Sequence, residues 1–117
     1  MLFKEEHSFE KRKKESDRIM IKYKYRYYPI ICEAFNTNEL KKIKRKYLVP
    51  VDLKIGQFLF LIRTKLELKD SNIALFLFLE NNIVPNSLSM FKEIYENNKN
   101  RDGFLYIKYS KENTFGK

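Results

Sequence analysis

The chain reads as an α+β domain in which one amphipathic helix lies across a four-stranded sheet and two helices precede both. Three observations carry this. Phe58, Leu61, Ile62 and Leu66 recur at i, i+3, i+4 and i+8, a helical period. Two short β-prone runs come before that helix and two follow it. Finally, 117 residues with three glycines and three prolines leave room for one domain and little linker.

The elements follow in order. A short first helix is expected around residues 3–7. Ser8 is an acceptable N-cap for a second, in which Phe9, Ser16, Ile19, Met20 and Tyr23 share one face while Lys and Arg face water. So thin an apolar stripe suits a helix lying on a sheet. Residues 29–34 read as a strand and 47–49 as another, stopped by Pro50, with Asn36, Thr37 and Asn38 marking the loop between. The best helix spans 56–66. The unbroken apolar run 73–79 then reads as a buried central strand. Asn81 and Asn82 turn the chain, and Ser87 is placed to cap a short helix burying Met90, Ile94 and Tyr95. Asp102-Gly103 is a turn signal before a final alternating strand over 104–109. This strand, strand, helix, strand, short helix, strand order is that of a β-grasp fold.

Composition excludes several classes. Hydrophobic residues at 44% and charged residues at 33% suit a globular chain rather than a disordered one. One cysteine rules out a disulfide framework, and with one histidine it rules out an ordinary zinc cluster. The run 73–79 is far short of the roughly 20 apolar residues a spanning helix needs, and no signal-peptide pattern opens the chain, so a cytosolic domain is expected. The net charge of +9 concentrates in residues 11–24 and 41–46. Such basic stretches attract polyanions. A lysine excess also accompanies the Asn, Ile, Phe and Tyr richness of AT-rich coding, so a plain solvated face is the alternative reading. Cys32, beside Ile30 and Ile31, reads as a buried structural thiol, and His7 as a surface or locally bonded side chain. There is no Gly-rich phosphate loop, catalytic carboxylate pair or metal-ligand spacing. Neither enzyme activity, nor a cofactor, nor a metal is expected.

Specific strings go further. Lys4-Glu5-Glu6-His7, Phe9-Glu10-Lys11-Arg12, Lys46-Tyr47-Leu48-Val49-Pro50, Gly56-Gln57-Phe58 and Phe60-Leu61-Ile62-Arg63 appear in order. Asn81-Asn82-Ile83-Val84-Pro85, Phe104-Leu105-Tyr106-Ile107, Tyr109-Ser110 and Phe115-Gly116 follow. Together they resemble the GABARAP and light-chain-3 group of autophagy ubiquitin-like modifiers, over almost the whole chain. The resemblance implies a single ubiquitin-like domain over 1–117: a two-helix extension over about 1–25, a β-grasp core over about 28–110, and a flexible tail over 111–117. The chain departs from the family pattern at Ser8, where a proline is common, and at Lys54, where a threonine often caps the central helix. It is also one residue longer at Tyr25-Arg26-Tyr27-Tyr28, with further insertions near 70–73 and at Glu80.

The implied activity is removal of Lys117, activation of Gly116, and conjugation to phosphatidylethanolamine on autophagosomal membranes. Glycine suits this because, lacking Cβ, it threads a narrow tunnel and offers its carbonyl to a thiol without a clash. The implied partners are a processing protease, activating and conjugating enzymes, and receptors bearing aromatic-x-x-aliphatic motifs. Microtubules are a further implied contact, nucleic acid is not a specific one, and a cytoplasmic monomer is expected before lipid attachment. By matching position, an aromatic pocket would use Glu15, Ile19, Pro29, Ile31, Lys46, Leu48 and Phe104. An aliphatic pocket would use Tyr47, Val49, Pro50, Leu53, Phe58, Leu61 and Ile62. Lys44, Lys46, Arg63 and Lys65 would form a basic rim, with Arg63 pairing an acidic peptide position. Two rivals stay open: an unconjugated peptide adaptor of the same fold, and a basic RNA- or membrane-surface-binding module using residues 11–24 with Tyr23, Tyr25, Tyr27 and Tyr28.

Overall fold

The computed structural model describes residues 1–35 and 41–112. Its elements are α1 (Phe3–Glu6), α2 (Phe9–Lys22), β1 (Tyr27–Ala34), β2 (Lys46–Pro50), α3 (Ile55–Lys65), β3 (Phe76–Leu79), α4 (Phe91–Asn98) and β4 (Leu105–Ser110). The strands form one sheet in the order β2-β1-β4-β3. β1 pairs antiparallel with β2 and parallel with β4, while β3 closes antiparallel on β4.

Strand alternation sorts the side chains onto two faces. Ile30 and Cys32 of β1, Tyr47 and Val49 of β2, and Leu105 and Ile107 of β4 enter the main core under α3. Ile31, Phe104 and Tyr106 form a second cluster on the opposite face, closed by Phe3 of α1. The two inner strands are therefore covered on both sides. Pro29 is tolerated in an inner strand for a definite reason. Cys32 donates to the Arg45 carbonyl on the β2 side (2.7 Å), so the Pro29 nitrogen faces β4, whose pairing begins only at Ile30–Leu105.

Four expectations are corrected. The run 73–79 yields a strand only over its last four residues, and that strand is the sheet edge, not its centre. β4 ends at Ser110, opposite Phe76, and the Ile73 carbonyl is taken by Arg63 Nη1 at 2.7 Å, so pairing cannot extend further back. Phe9 lies off the buried stripe of α2, at 45% exposure, with the Arg12 guanidinium over its ring. Met90 is the N-cap of α4 and is exposed, whereas Phe91 is fully buried in its place. Ser87 caps nothing there; its carbonyl accepts from the Gly56 N–H (2.8 Å). Lys54, which lacks a capping hydroxyl, has its own N–H satisfied by Gln57 Oε1 at 2.9 Å.

Helix ends in this glycine-poor chain use ordinary residues where glycine is usual. At the end of α2, Tyr25 N–H donates to the Met20 carbonyl and Lys24 N–H to the Ile21 carbonyl, with Lys24 at φ 54°. These are the paired bonds of a Schellman cap, whose left-handed residue is normally glycine. α3 ends the same way on Glu67, at φ 60°.

A polar knot fixes α2 to the turn before β4. Asp102, completely buried, accepts from Arg12 Nη1 (2.6 Å), from the Tyr106 hydroxyl and from the Phe104 N–H (2.8 Å). Ser16 donates to the Asp102 carbonyl, and Tyr95 donates to the Gly103 carbonyl. Gly103 sits at φ +90°, and a Cβ there would lie 2.9 Å from the Ser16 Cβ. No other residue fits.

Burial pushes the phenols of Tyr28, Tyr47, Tyr95, Tyr106 and Tyr109 above their ordinary value of 10.0, Tyr95 to about 12. A group whose pKa is raised in the fold contributes stability that is complete below its unfolded value and lost as the pH rises through the folded one. The thermal midpoint should therefore fall between pH 10 and about 12. A midpoint that stays flat through that window would contradict the burial of these rings.

Candidate functional site

The outer edge of β2 is where the sheet ends on one side. Antiparallel alternation turns the main-chain groups of Tyr47 and Val49 toward β1 and those of Lys46 and Leu48 outward. The side chains divide the other way. Tyr47 and Val49 are buried toward α3, while Lys46 and Leu48 are exposed on the α2 face. The edge thus offers hydrogen-bonding groups with a different wall on each side.

On the α2 face lie the seven residues expected of an aromatic pocket. Ile31 and Phe104 are fully buried, Pro29 is almost so, and Ile19 is 9% exposed. Pro29 sits in register with Leu48, which is 40% exposed. Glu15 of α2 and Lys46 of β2 form an ion pair that joins the two walls. The accessible members are therefore Glu15, Lys46 and Leu48, over an apolar floor.

Phe3 was not foreseen among these residues. Its ring packs edge-on against Phe104 at 5.1 Å, and Lys46 Nζ lies 5.5 Å from its centroid. The apolar Leu2-Phe3 pair ahead of Lys4-Glu5-Glu6 was the available signal. α1 is held down by polar contacts too: Glu33 accepts from the Phe3 N–H (2.8 Å), and Arg45 makes a two-pronged bond to Glu6. That bond lowers the Glu6 pKa.

On the α3 face, Tyr47, Val49, Phe58 and Ile62 are buried, Pro50 and Leu53 half-buried, and Leu61 is 38% exposed. The Tyr47 ring meets Phe58 edge-on at 5.6 Å, and Phe58 meets Phe91 at 5.3 Å. Burial pushes the Tyr47 phenol up, and its hydroxyl donates to the Lys44 carbonyl (2.7 Å). Phe91 is the second residue that sequence reasoning missed.

The basic rim divides. Lys44 and Lys65 both lie over the Tyr47 ring, at 5.0 and 5.9 Å, and Lys46 is engaged with Glu15. The Arg63 guanidinium donates to the carbonyls of Ile73 (2.7 Å) and Asp70 (3.0 Å), which staples the loop after α3. The inserted residues near 70–73 supply these carbonyls.

Gly116 and Lys117 lie outside the described residues, as do Asn36, Thr37 and Asn38. Among the described residues no group of three or more His, Cys, Asp or Glu could hold a metal ion, and no helix is long and apolar enough to cross a membrane. Cys32 is buried, and burial pushes its thiol up, away from nucleophilic use.

The family described as Autophagy protein Atg8 ubiquitin like matches residues 11–116. Autophagy-related protein 8 of Scheffersomyces stipitis is 50% identical over 97% of this chain and 81% of its own length. That of Emericella nidulans is 48% identical over 97% and 95%. The crystal structure of Trypanosoma brucei ATG8 superposes with a TM-score of 0.82 at 34% identity, covering 92% of this chain and 91% of that one. Plasmodium falciparum Atg8, solved with a Plasmodium falciparum Atg3 peptide, gives 0.84 at 35% identity over 96% and 97%. With a two-walled sheet edge, a β-grasp core and this match along its length, the chain belongs to the Atg8 family of autophagy ubiquitin-like proteins.

Proposed function

We propose that the chain is cut after Gly116, conjugated through that residue to phosphatidylethanolamine on autophagosomal membranes, and recruits partners by adding their extended segments to β2. The single observation that carries the recruiting half is the outer edge of β2, with Leu48 exposed toward α2 and Tyr47 turned toward α3. A segment added there gains main-chain bonds to the edge. Its residues three apart point to opposite faces, roughly 10 Å along the strand. An aromatic side chain then meets Leu48 and the Pro29–Ile31–Phe104 floor while an aliphatic one meets Tyr47, Leu53 and Leu61. That is the aromatic-x-x-aliphatic spacing.

Lys44, Lys46 and Lys65 supply the charge that favours acidic residues flanking such a motif. The Plasmodium falciparum relative's Atg3 peptide supports a segment of the conjugating machinery as one ligand, with receptors as others. The protein acts here as a substrate of enzymes. In the cell it divides between cytoplasm and membrane according to its lipid state.

Calorimetric titration with an aromatic-x-x-aliphatic peptide tests the groove. Leu48→Ala should weaken binding by about 1–2 kcal/mol, roughly five- to thirtyfold. Leu48 is the informative position because it is exposed, whereas truncating Tyr47 would also open the core. Unchanged affinity in the folded variant would move the binding surface elsewhere.

A further inference from the structure

The end of α2 and the turn into β1 form a cationic pole. Arg18, Lys22, Lys24 and Arg26 are all exposed there, and residues 18–26 contain no acid. Among the described residues none of the four joins a salt bridge. Val51 donates to the Arg26 carbonyl (3.1 Å); the acids around the pole are Asp17, which is engaged with Lys13, Asp52, next to Val51 in the chain, and Glu96, whose charge acts on Tyr28. Between the cations stand two apolar tips, Ile21 at 67% and Tyr25 at 64% exposure. The Schellman cap that projects Tyr25 is built on Lys24, so it adds charge where a glycine would add none.

We propose that this pole docks on anionic lipid surfaces. Cations meet the lipid phosphates and carboxylates while the isoleucine and tyrosine tips enter the headgroup layer, the division of labour that interfacial protein segments use. Single-stranded nucleic acid fits less well. Base stacking needs free aromatic faces, but Tyr28 is buried and stacked on Tyr95 at 4.0 Å, and Tyr23 and Tyr27 are paired edge to face. Ile21 has no ring to stack.

Position makes the proposal independent of conjugation. β1 starts at this pole, and β4 runs parallel to it, so the chain leaves the sheet for its C-terminus at the opposite end. Contact at the pole needs no covalent lipid.

The test is flotation of the purified, unconjugated chain with phosphatidylcholine vesicles, with or without phosphatidylserine, at about 0.15 M salt. Binding should require phosphatidylserine. Lys24→Gly should raise the thermal midpoint, since glycine relieves the left-handed cap, yet lower the vesicle partition coefficient about fivefold. Arg18→Glu with Arg26→Glu should abolish binding. Ile21→Ser with Tyr25→Ser should weaken it at unchanged charge. Three results would each overturn the proposal: equal flotation on phosphatidylcholine alone; charge variants that float like the parent; or serine variants that float unchanged while a single-stranded oligonucleotide displaces the protein.

Discussion

Asp102→Ala should remove about 3–5 kcal/mol of folding stability, the range for breaking a buried charge pair from one side. The carboxylate has no exposure and serves three donors at once. Its loss strands the Arg12 guanidinium, whose side chain is 11% exposed, together with the Tyr106 hydroxyl and the Phe104 N–H. Asp102→Asn, which keeps the shape and part of the bonding, should cost less. Urea unfolding of both variants checks this, and a loss below about 1 kcal/mol for alanine would show the knot to be dispensable. The consequence reaches function because Arg12 and Ser16 hold α2, which carries Glu15 and Ile19 beside β2. A destabilised knot should also loosen the α2 wall of the groove.

Phe91→Ala should cost about 3–5 kcal/mol as well, through the cavity left by a fully buried ring. Phe91 buttresses Phe58, which in turn buttresses Tyr47. The three rings link α4 to β2 through the core. Phe91→Leu keeps most of the volume and should cost under about 1.5 kcal/mol. If the two substitutions proved equally mild by urea unfolding, the ring would not be packed against Phe58 as described.

Much of this architecture is legible in the sequence because its signals are local. The helical spacing of Phe58, Leu61, Ile62 and Leu66, the Ser8 cap and the Asp102-Gly103 turn each announce an element from neighbouring residues. Ser8 does accept from the Lys11 N–H. Strand order is not local. The apolar run before Leu79 reads as central by composition, yet the edge position of β3 follows from β1 taking β4 as its parallel neighbour. The Arg63 case is similar. Its guanidinium reaches carbonyls of a loop whose inserted residues give no periodic signal. Met90 and Phe91 differ by one position, and only the start of α4, with the β-bridge between Lys54 and Met90, decides which is buried. The four-residue helix that carries Phe3 has too few residues to show a period.

Conjugation of Gly116 shows itself in the intact mass of the chain. The purified chain is incubated with lysate of its own source cells, beside a Gly116→Ala control. Lys117 should be lost first, followed by a lipid-sized mass gain that the control never shows. An unchanged mass in both samples would contradict it, leaving the β2 edge as the working surface of an unconjugated adaptor.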